Sequence, residues 1–126
     1  MPEKYIGKRL RVRITVGSAE RYRGKSLFRA LIQKLEENHI YGATLIRGFG
    51  GFSSRARFHT DRLLALVSNL PVIIEFVDYQ ERIHKLLPEF DSMISTGMIT
   101  VEEVEVIFYR QKPGAQSRRT ETADKA

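Results

Sequence analysis

Residues Lys8 to Val16 set the first constraint on the fold. Leu10, Val12, Ile14 and Val16 alternate with Arg9, Arg11 and Arg13. Such period-two alternation marks a strand with one face in a core and the other outside it. Three arginines on one face need water or acidic partners. The strand therefore belongs to a sheet covered on one side only.

The rest of the chain supplies the cover. Gly17 to Gly24 reads as a loop. From Lys25 to about Asn38, Leu27, Phe28, Leu31, Ile32 and Leu35 recur at helical spacing, with Ser26 as cap and Asn38-His39 as the end. Ile40 to about Phe49 reads as the second strand. Leu70 to Val77 is a third, and its near-continuous apolar run places it centrally. Asp78-Tyr79-Gln80-Glu81 has capping-box spacing. It opens a helix whose apolar face is Ile83, Leu86, Leu87, Phe90 and Ile94. Pro88 inside it predicts a kink or a break, and Gly97 a left-handed terminator. Thr100 to Arg110 is the fourth strand, with Val104, Val106 and Phe108 on one face and Glu103, Glu105 and Ile107 on the other.

The order β-α-β-loop-β-α-β is the split βαβ plan, an α+β ferredoxin-like sandwich. Right-handed crossovers put both helices on one face of an antiparallel sheet, with the first and third strands central. The open face is then expected to carry Arg9, Arg11 and Arg13 near Glu75, Glu103 and Glu105. Ile73, Val77 and Ile107 share that face, so copies of the chain are expected to pack sheet against sheet.

At 126 residues the chain is one domain. We read residues 1–110 as that domain, with a long loop at about 50–69, and residues 111–126 as a flexible tail poor in large apolar side chains. The absence of cysteine excludes disulfides, Cys-zinc sites and thiol catalysis. No apolar run approaches the roughly 18 residues of a membrane span, and the start lacks a signal-peptide pattern. The expectation is a cytoplasmic protein without membrane insertion. The net charge of +6 is uneven: residues 1–25 hold eight basic and two acidic residues, residues 63–109 two and eight. Either the basic segments feed an anion site, or the two halves pair internally.

Gly42 to Phe52 carries the functional signal. Glycines at 42, 48, 50 and 51 weaken a strand and suit a backbone that takes positive φ or lets a ligand close. The Gly48-Phe49-Gly50-Gly51 run can form an anion nest. Arg47, Arg55 and Arg57 can add charge-assisted hydrogen bonds to phosphate. The competing reading is a hairpin bend that needs glycine. His59 lies in the same arginine-rich loop and is the one histidine with a candidate role. His39 reads as a cap-region residue and His84 as a surface residue. Neither a Rossmann fingerprint nor a Walker A motif is present. No histidine pair has metal-ligand spacing, and there is no nucleophile-base pair.

Gly42-Ala43-Thr44-Leu45-Ile46-Arg47-Gly48-Phe49-Gly50 resembles the second-strand motif of PII-type nitrogen-signalling proteins. Thr96-Gly97-Met98-Ile99-Thr100 resembles the start of that family's phosphate-contacting turn. Arg47-Gly48, His59, Leu70-Pro71-Val72, Ile74 and Asp78 extend the likeness to a small prokaryotic PII-like branch catalogued as a domain of unknown function. The resemblance covers about residues 8–110. It implies a homotrimer with adenine nucleotides (ATP, ADP, AMP or a cyclic nucleotide) in clefts between subunits. It also implies a loop that engages a transporter or an enzyme. Carried over, Gly48, Phe49 and Gly50 match the loop base, Gly97 and Ile99 the phosphate turn, and Arg110 a basic residue near the end of the fourth strand. Gly51 extends the loop base, and Arg55, Arg57 and His59 are candidate loop contacts. The chain departs from the PII pattern at Met98, where a lysine is common. It also lacks the loop-base glutamine and the modified tyrosine.

The reading is thus a nucleotide-sensing regulator with no required cofactor, no metal and no catalytic residues. A ferredoxin-like nucleic-acid module is the alternative, although acidic residues on the open face oppose DNA or RNA. A small enzyme of unknown reaction is the third.

Overall fold

A computed structural model of the chain describes residues 6–51 and 69–111. The elements are β1 (Gly7–Gly17), β2 (Arg21–Tyr22), β3 (Lys25–Ser26), α1 (Leu27–Glu37), β4 (Ala43–Arg47), β5 (Pro71–Asp78), α2 (Gln80–Met93) and β6 (Met98–Val106). Four strands form one antiparallel sheet in the order β4-β5-β1-β6. The ferredoxin-like plan holds, with β1 and β5 central.

Directly opposed residues share a face of a sheet. Ile14 lies opposite Ile74 on one side and Ile99 on the other, so one apolar row crosses three strands. Val12, Ile14, Val72, Ile74 and Phe76 pack beneath Leu27, Leu31 and Leu35 of α1 and Ile83, Leu86 and Phe90 of α2. Phe76 meets Phe90 edge-on, centroids 6.1 Å apart. Burying each such side chain contributes about 1.5–3 kcal/mol.

Helix α1 ends on a Schellman turn. His39 N–H donates to Glu36 O at 3.1 Å and Ile40 N–H to Leu35 O at 3.1 Å. Ile40 and Leu35 are both buried. His39 holds the left-handed position at φ 56°, where glycine is usual. Arg82 reaches across from α2 and donates through Nη2 to the carbonyls of Asn38 and His39, each at 2.7 Å.

Several local expectations change. The first loop contains a hairpin, β2–β3. Strand β5 runs one residue further than expected, so Asp78 faces the core opposite Leu10 and is fully buried. It does not cap α2. Tyr79 holds the cap position without a side-chain bond. The Asp78 carboxylate instead accepts from Tyr79 N–H at 2.7 Å and lies 2.9 Å from Arg82 Nε. Pro88 does not divide α2, which runs unbroken from Gln80 to Met93.

Strand β6 differs in parity. Arg11 lies opposite Glu102, and Leu10 opposite Glu103. The open face therefore carries Glu102, Val104 and Val106. Glu103 and Glu105 stand on the helix side, where cover ends near Ile99. One residue of offset moves every side chain to the other face. Ile107 falls beyond the strand.

Candidate functional site

One end of the sheet gathers the candidate residues. There β4 and β1 finish, and β5 and β6 begin. Gly48 N–H donates to Pro71 O at 2.8 Å. A Cβ on Gly48 would stand 2.7 Å from Pro71 Cγ, so the pinch excludes any side chain. Phe49 follows and is 92% exposed. A ring left in water beside a constrained backbone is available for stacking or for a partner. Across the pinch, Ser18 N–H donates to Leu70 O at 2.7 Å, and Leu70 N–H to Ser18 Oγ at 3.0 Å. Asn69 Oδ1 accepts from Ala19 N–H at 3.0 Å. Both ends of the long excursion are thus anchored.

Gly97 sits at this end on the far edge of the sheet. A Cβ there would stand 2.8 Å from Thr15 O and 2.9 Å from Val16 Cγ1. Its role is close approach to β1, not helix termination. Helix α2 has already ended at Ile94, in an extended conformation. Ile99 packs partly against the core and stands opposite Ile14 in the β1–β6 ladder.

Gly48 and Gly97 are separated by three strand spacings, about 14 Å. Arg110 lies past the opposite end of β6, whose 9 residues span on the order of 27 Å. Its guanidinium lies over the Phe108 ring at 4.4 Å, while Tyr109 packs on Tyr41 at 5.9 Å. The structure therefore brings Arg47, Gly48, Phe49, Gly50, Gly51, Gly97 and Ile99 to one end, and Arg110 to the other. Arg55, Arg57 and His59 lie outside the described residues, as does the expected tail beyond residue 111.

The arginines fall into two kinds. On the open face, Arg11 is 2.6 Å from Glu102 and Arg13 is 2.5 Å from Glu75. The hydrogen bond and charge of Glu102 raise the Arg11 pKa. At the sheet end, Arg47 reaches α1 and lies 5.6 Å from the Phe28 ring centroid, with Arg29 at 5.7 Å. Arg21, Arg23 and Lys25 stand on the adjoining hairpin. Sequence reasoning missed this group because two-residue strands carry no periodicity. The signal was the density of cations between Arg21 and Arg29.

Two other features lie away from this end. Asp78 has its pKa raised, first by burial, with the Tyr79 N–H and Arg82 opposing. An apolar groove of about 360 Å³ lies between α1 and β4, lined by Ile32, Leu35, Glu36, Ile40, Gly42 and Ala43. Among the described residues no cluster of three or more His, Cys, Asp or Glu can hold a metal. No helix among them is long and apolar enough to cross a membrane. The strand residues of the open face include no aromatic, so an RNA-stacking platform is missing there.

The family model DUF190, "Uncharacterized ACR", matches residues 9–106. The chain belongs to the DUF190 family. A UPF0166 protein of Aquifex aeolicus is 33% identical over 103 residues, covering 82% of this chain and 97% of the relative. A UPF0166 protein of Methanocaldococcus jannaschii is 30% identical over 96 residues, covering 75% and 88%. Among solved structures, this DUF190 chain is similar to a nitrogen regulatory PII-like protein of Thiomonas intermedia, bound to ADP, AMP and bicarbonate. The TM-score is 0.58 at 16% identity, covering 79% of this chain and 88% of that one. It is also similar to a protein of Thermus thermophilus described as PII-like and signalling, with TM-score 0.57, 17% identity and coverage of 82% and 93%. At these identities the likeness establishes the PII-like fold of this DUF190 member.

Proposed function

We propose that this DUF190 protein is a trimeric PII-like regulator. It binds an adenine nucleotide at clefts between copies and signals to a partner through the loop that leaves Gly48. It acts as a regulator and not as a catalyst, in the cytoplasm.

The observation that carries this reading is the placement of Gly48 and Gly97. Both are glycines for reasons of close approach, both stand at the same end of the sheet, and the exposed Phe49 follows Gly48 directly. A nucleotide laid across those ends spans the gap. None of Gly48, Gly50 and Gly51 takes positive φ, so the expected αR–αL nest is not formed there; the glycines instead let phosphate oxygens come close to the backbone, and the Phe49 ring suits a base. Arg47 stands next to the exit and supplies charge that Met98 does not. Arg110 is too far to touch the same ligand from the same chain. If it contributes, it comes from a neighbouring copy, which fits a cleft between subunits. The open sheet face, with Ile73, Val77, Met98 and the Arg–Glu pairs, is the surface on which copies pack. The structural neighbour bound to ADP and AMP supports the ligand class.

Isothermal titration with ATP, ADP, AMP and cyclic AMP tests the ligand. At least one is expected to bind saturably, and Gly48→Val to abolish that binding. If none binds the native oligomer, the nucleotide claim fails. Light scattering tests the assembly, and a monomer at micromolar concentration would remove the cleft.

A further inference from the structure

We infer that the β2–β3 hairpin, together with Arg29 and Arg47, forms a docking surface for an acidic segment of a partner protein. This deepens the signalling reading by naming the partner's chemistry, and it does not depend on a bound nucleotide.

The hairpin turns through Arg23 and Gly24, both at positive φ, 50° and 78°. Two-residue hairpin turns of this kind favour Asn-Gly. An arginine at the first position is strained, because its Cβ crowds the following carbonyl. The hairpin is nevertheless held firmly. Arg21 Nη2 donates to Gly24 O across the turn at 2.5 Å. Leu27 N–H donates to Glu20 O at 2.9 Å, which ties the hairpin base directly to α1. The result is a rigid, convex tip that presents a cation.

The charge around the tip is not neutralised. Among the described residues, none of Arg21, Arg23, Lys25, Arg29 and Arg47 has a carboxylate within ion-pair distance, whereas Arg11, Arg13, Lys34 and Arg82 each do. Helix α1 adds to the field. Its first turn holds no acidic residue, and Ser26 makes no side-chain cap bond. The positive end of the helix dipole therefore has the Glu20 carbonyl on Leu27 N–H but no acidic side chain or side-chain cap to offset it. Three guanidiniums lie over aromatic rings: Arg23 over Tyr22 at 5.1 Å, and Arg29 and Arg47 over Phe28. Cation–π attraction of this kind draws each guanidinium to its ring and does not use its N–H donors, which a carboxylate can take.

The shape selects the class of partner. A convex tip does not converge on a small anion. A macromolecule must bring its own concavity. The acidic residues of β6 (Glu103, Glu105) and of α2 (Glu81, Asp91) border the rest of the molecule. They would repel a polyanion extended beyond the basic end. A short acidic segment matches the footprint.

The test uses fluorescence anisotropy of the full chain against a labelled octaglutamate peptide. Single-stranded oligonucleotide and phosphatidylserine vesicles serve as parallel probes. Saturable peptide binding is expected, weakening with salt as screening shortens the reach of the charges. Arg23→Glu/Arg29→Glu is expected to weaken it by about tenfold or more. Arg23→Asn keeps the turn and removes its strain, so it is expected to raise the melting temperature while weakening peptide binding. Lys85→Ala, at an exposed lysine of α2 outside the patch, is expected to leave peptide binding unchanged. The inference is overturned if the peptide does not bind, if binding is unchanged in both hairpin variants, or if vesicles or oligonucleotide bind more tightly through the same arginines. Nucleotide affinity measured on the same variants separates this result from the cleft reading. The docking surface fails if peptide binding is missing while ATP or ADP still binds.

Discussion

The open sheet face and the hairpin end both display arginine, but they use it differently. On the sheet face, Arg11 and Arg13 are paired with Glu102 and Glu75 across strands. Their charge is spent inside the fold. At the hairpin end, Arg21, Arg23, Arg29 and Arg47 have no such partner among the described residues, and one of them holds a strained backbone. Stability alone would favour the first arrangement everywhere. Internal pairing, one of the two explanations of the uneven charge, accounts for Arg11 and Arg13. The anion-directed surface is our proposal for the hairpin end.

Substitutions can break that contrast. The largest effect is expected from the one arginine paired to a buried acid. Arg82→Leu removes the partner of Asp78 and the donor to Asn38 and His39, and should cost about 2–4 kcal/mol in chemical denaturation at neutral pH. Burial raises the Asp78 pKa above its ordinary 3.8. This group therefore contributes more stability when protonated, and loses it as pH rises through the raised folded value. The deficit of Arg82→Leu should shrink toward acid, and Asp78→Asn should remove much of that pH dependence. A deficit that stays constant with pH would contradict this account. Next comes Glu75→Lys, which places like charge beside Arg13. A loss of about 1 kcal/mol is expected in the folded chain, with weakened assembly in light scattering. Arg29→Glu should act in the opposite sense. An acid in the first turn of α1 should stabilise the fold by about 0.3–1 kcal/mol. Destabilisation by Arg29→Glu would mean that the hairpin cluster is structural, and the contrast would collapse. His39→Gly, remote from both clusters, should gain up to about 1 kcal/mol by relieving a left-handed residue.

Legibility in the sequence followed the size of the apolar signal. Strands β1 and β5 alternate or run apolar over enough residues to declare themselves, and the stripe of α1 is complete from Leu27 to Leu35. Topology followed from those. Asp78 misled, because its spacing to Glu81 suits a cap while its parity belongs to β5. Strand β6 misled for a related reason. Beyond Ile99 no helix covers it, so Val104 and Val106 need not point to the core, and apolar identity stops reporting direction. The glycine exit was readable as a site of close approach, although only the structure supplies the neighbours, Pro71 for Gly48 and Thr15 for Gly97. The hairpin was invisible as structure but visible as charge.

The pinch between Gly48 and Pro71 has a consequence for how this scaffold can diversify. The chain leaves and re-enters the sheet through adjacent strands, fastened by Gly48 on one side and by Asn69 and Leu70 on the other. Whatever runs between them is closed by the scaffold itself. Doubling the length of such an excursion adds only about 0.6 kcal/mol of closure entropy. A change in the number of residues between these anchors is therefore expected to leave the sheet and the core almost as stable as before.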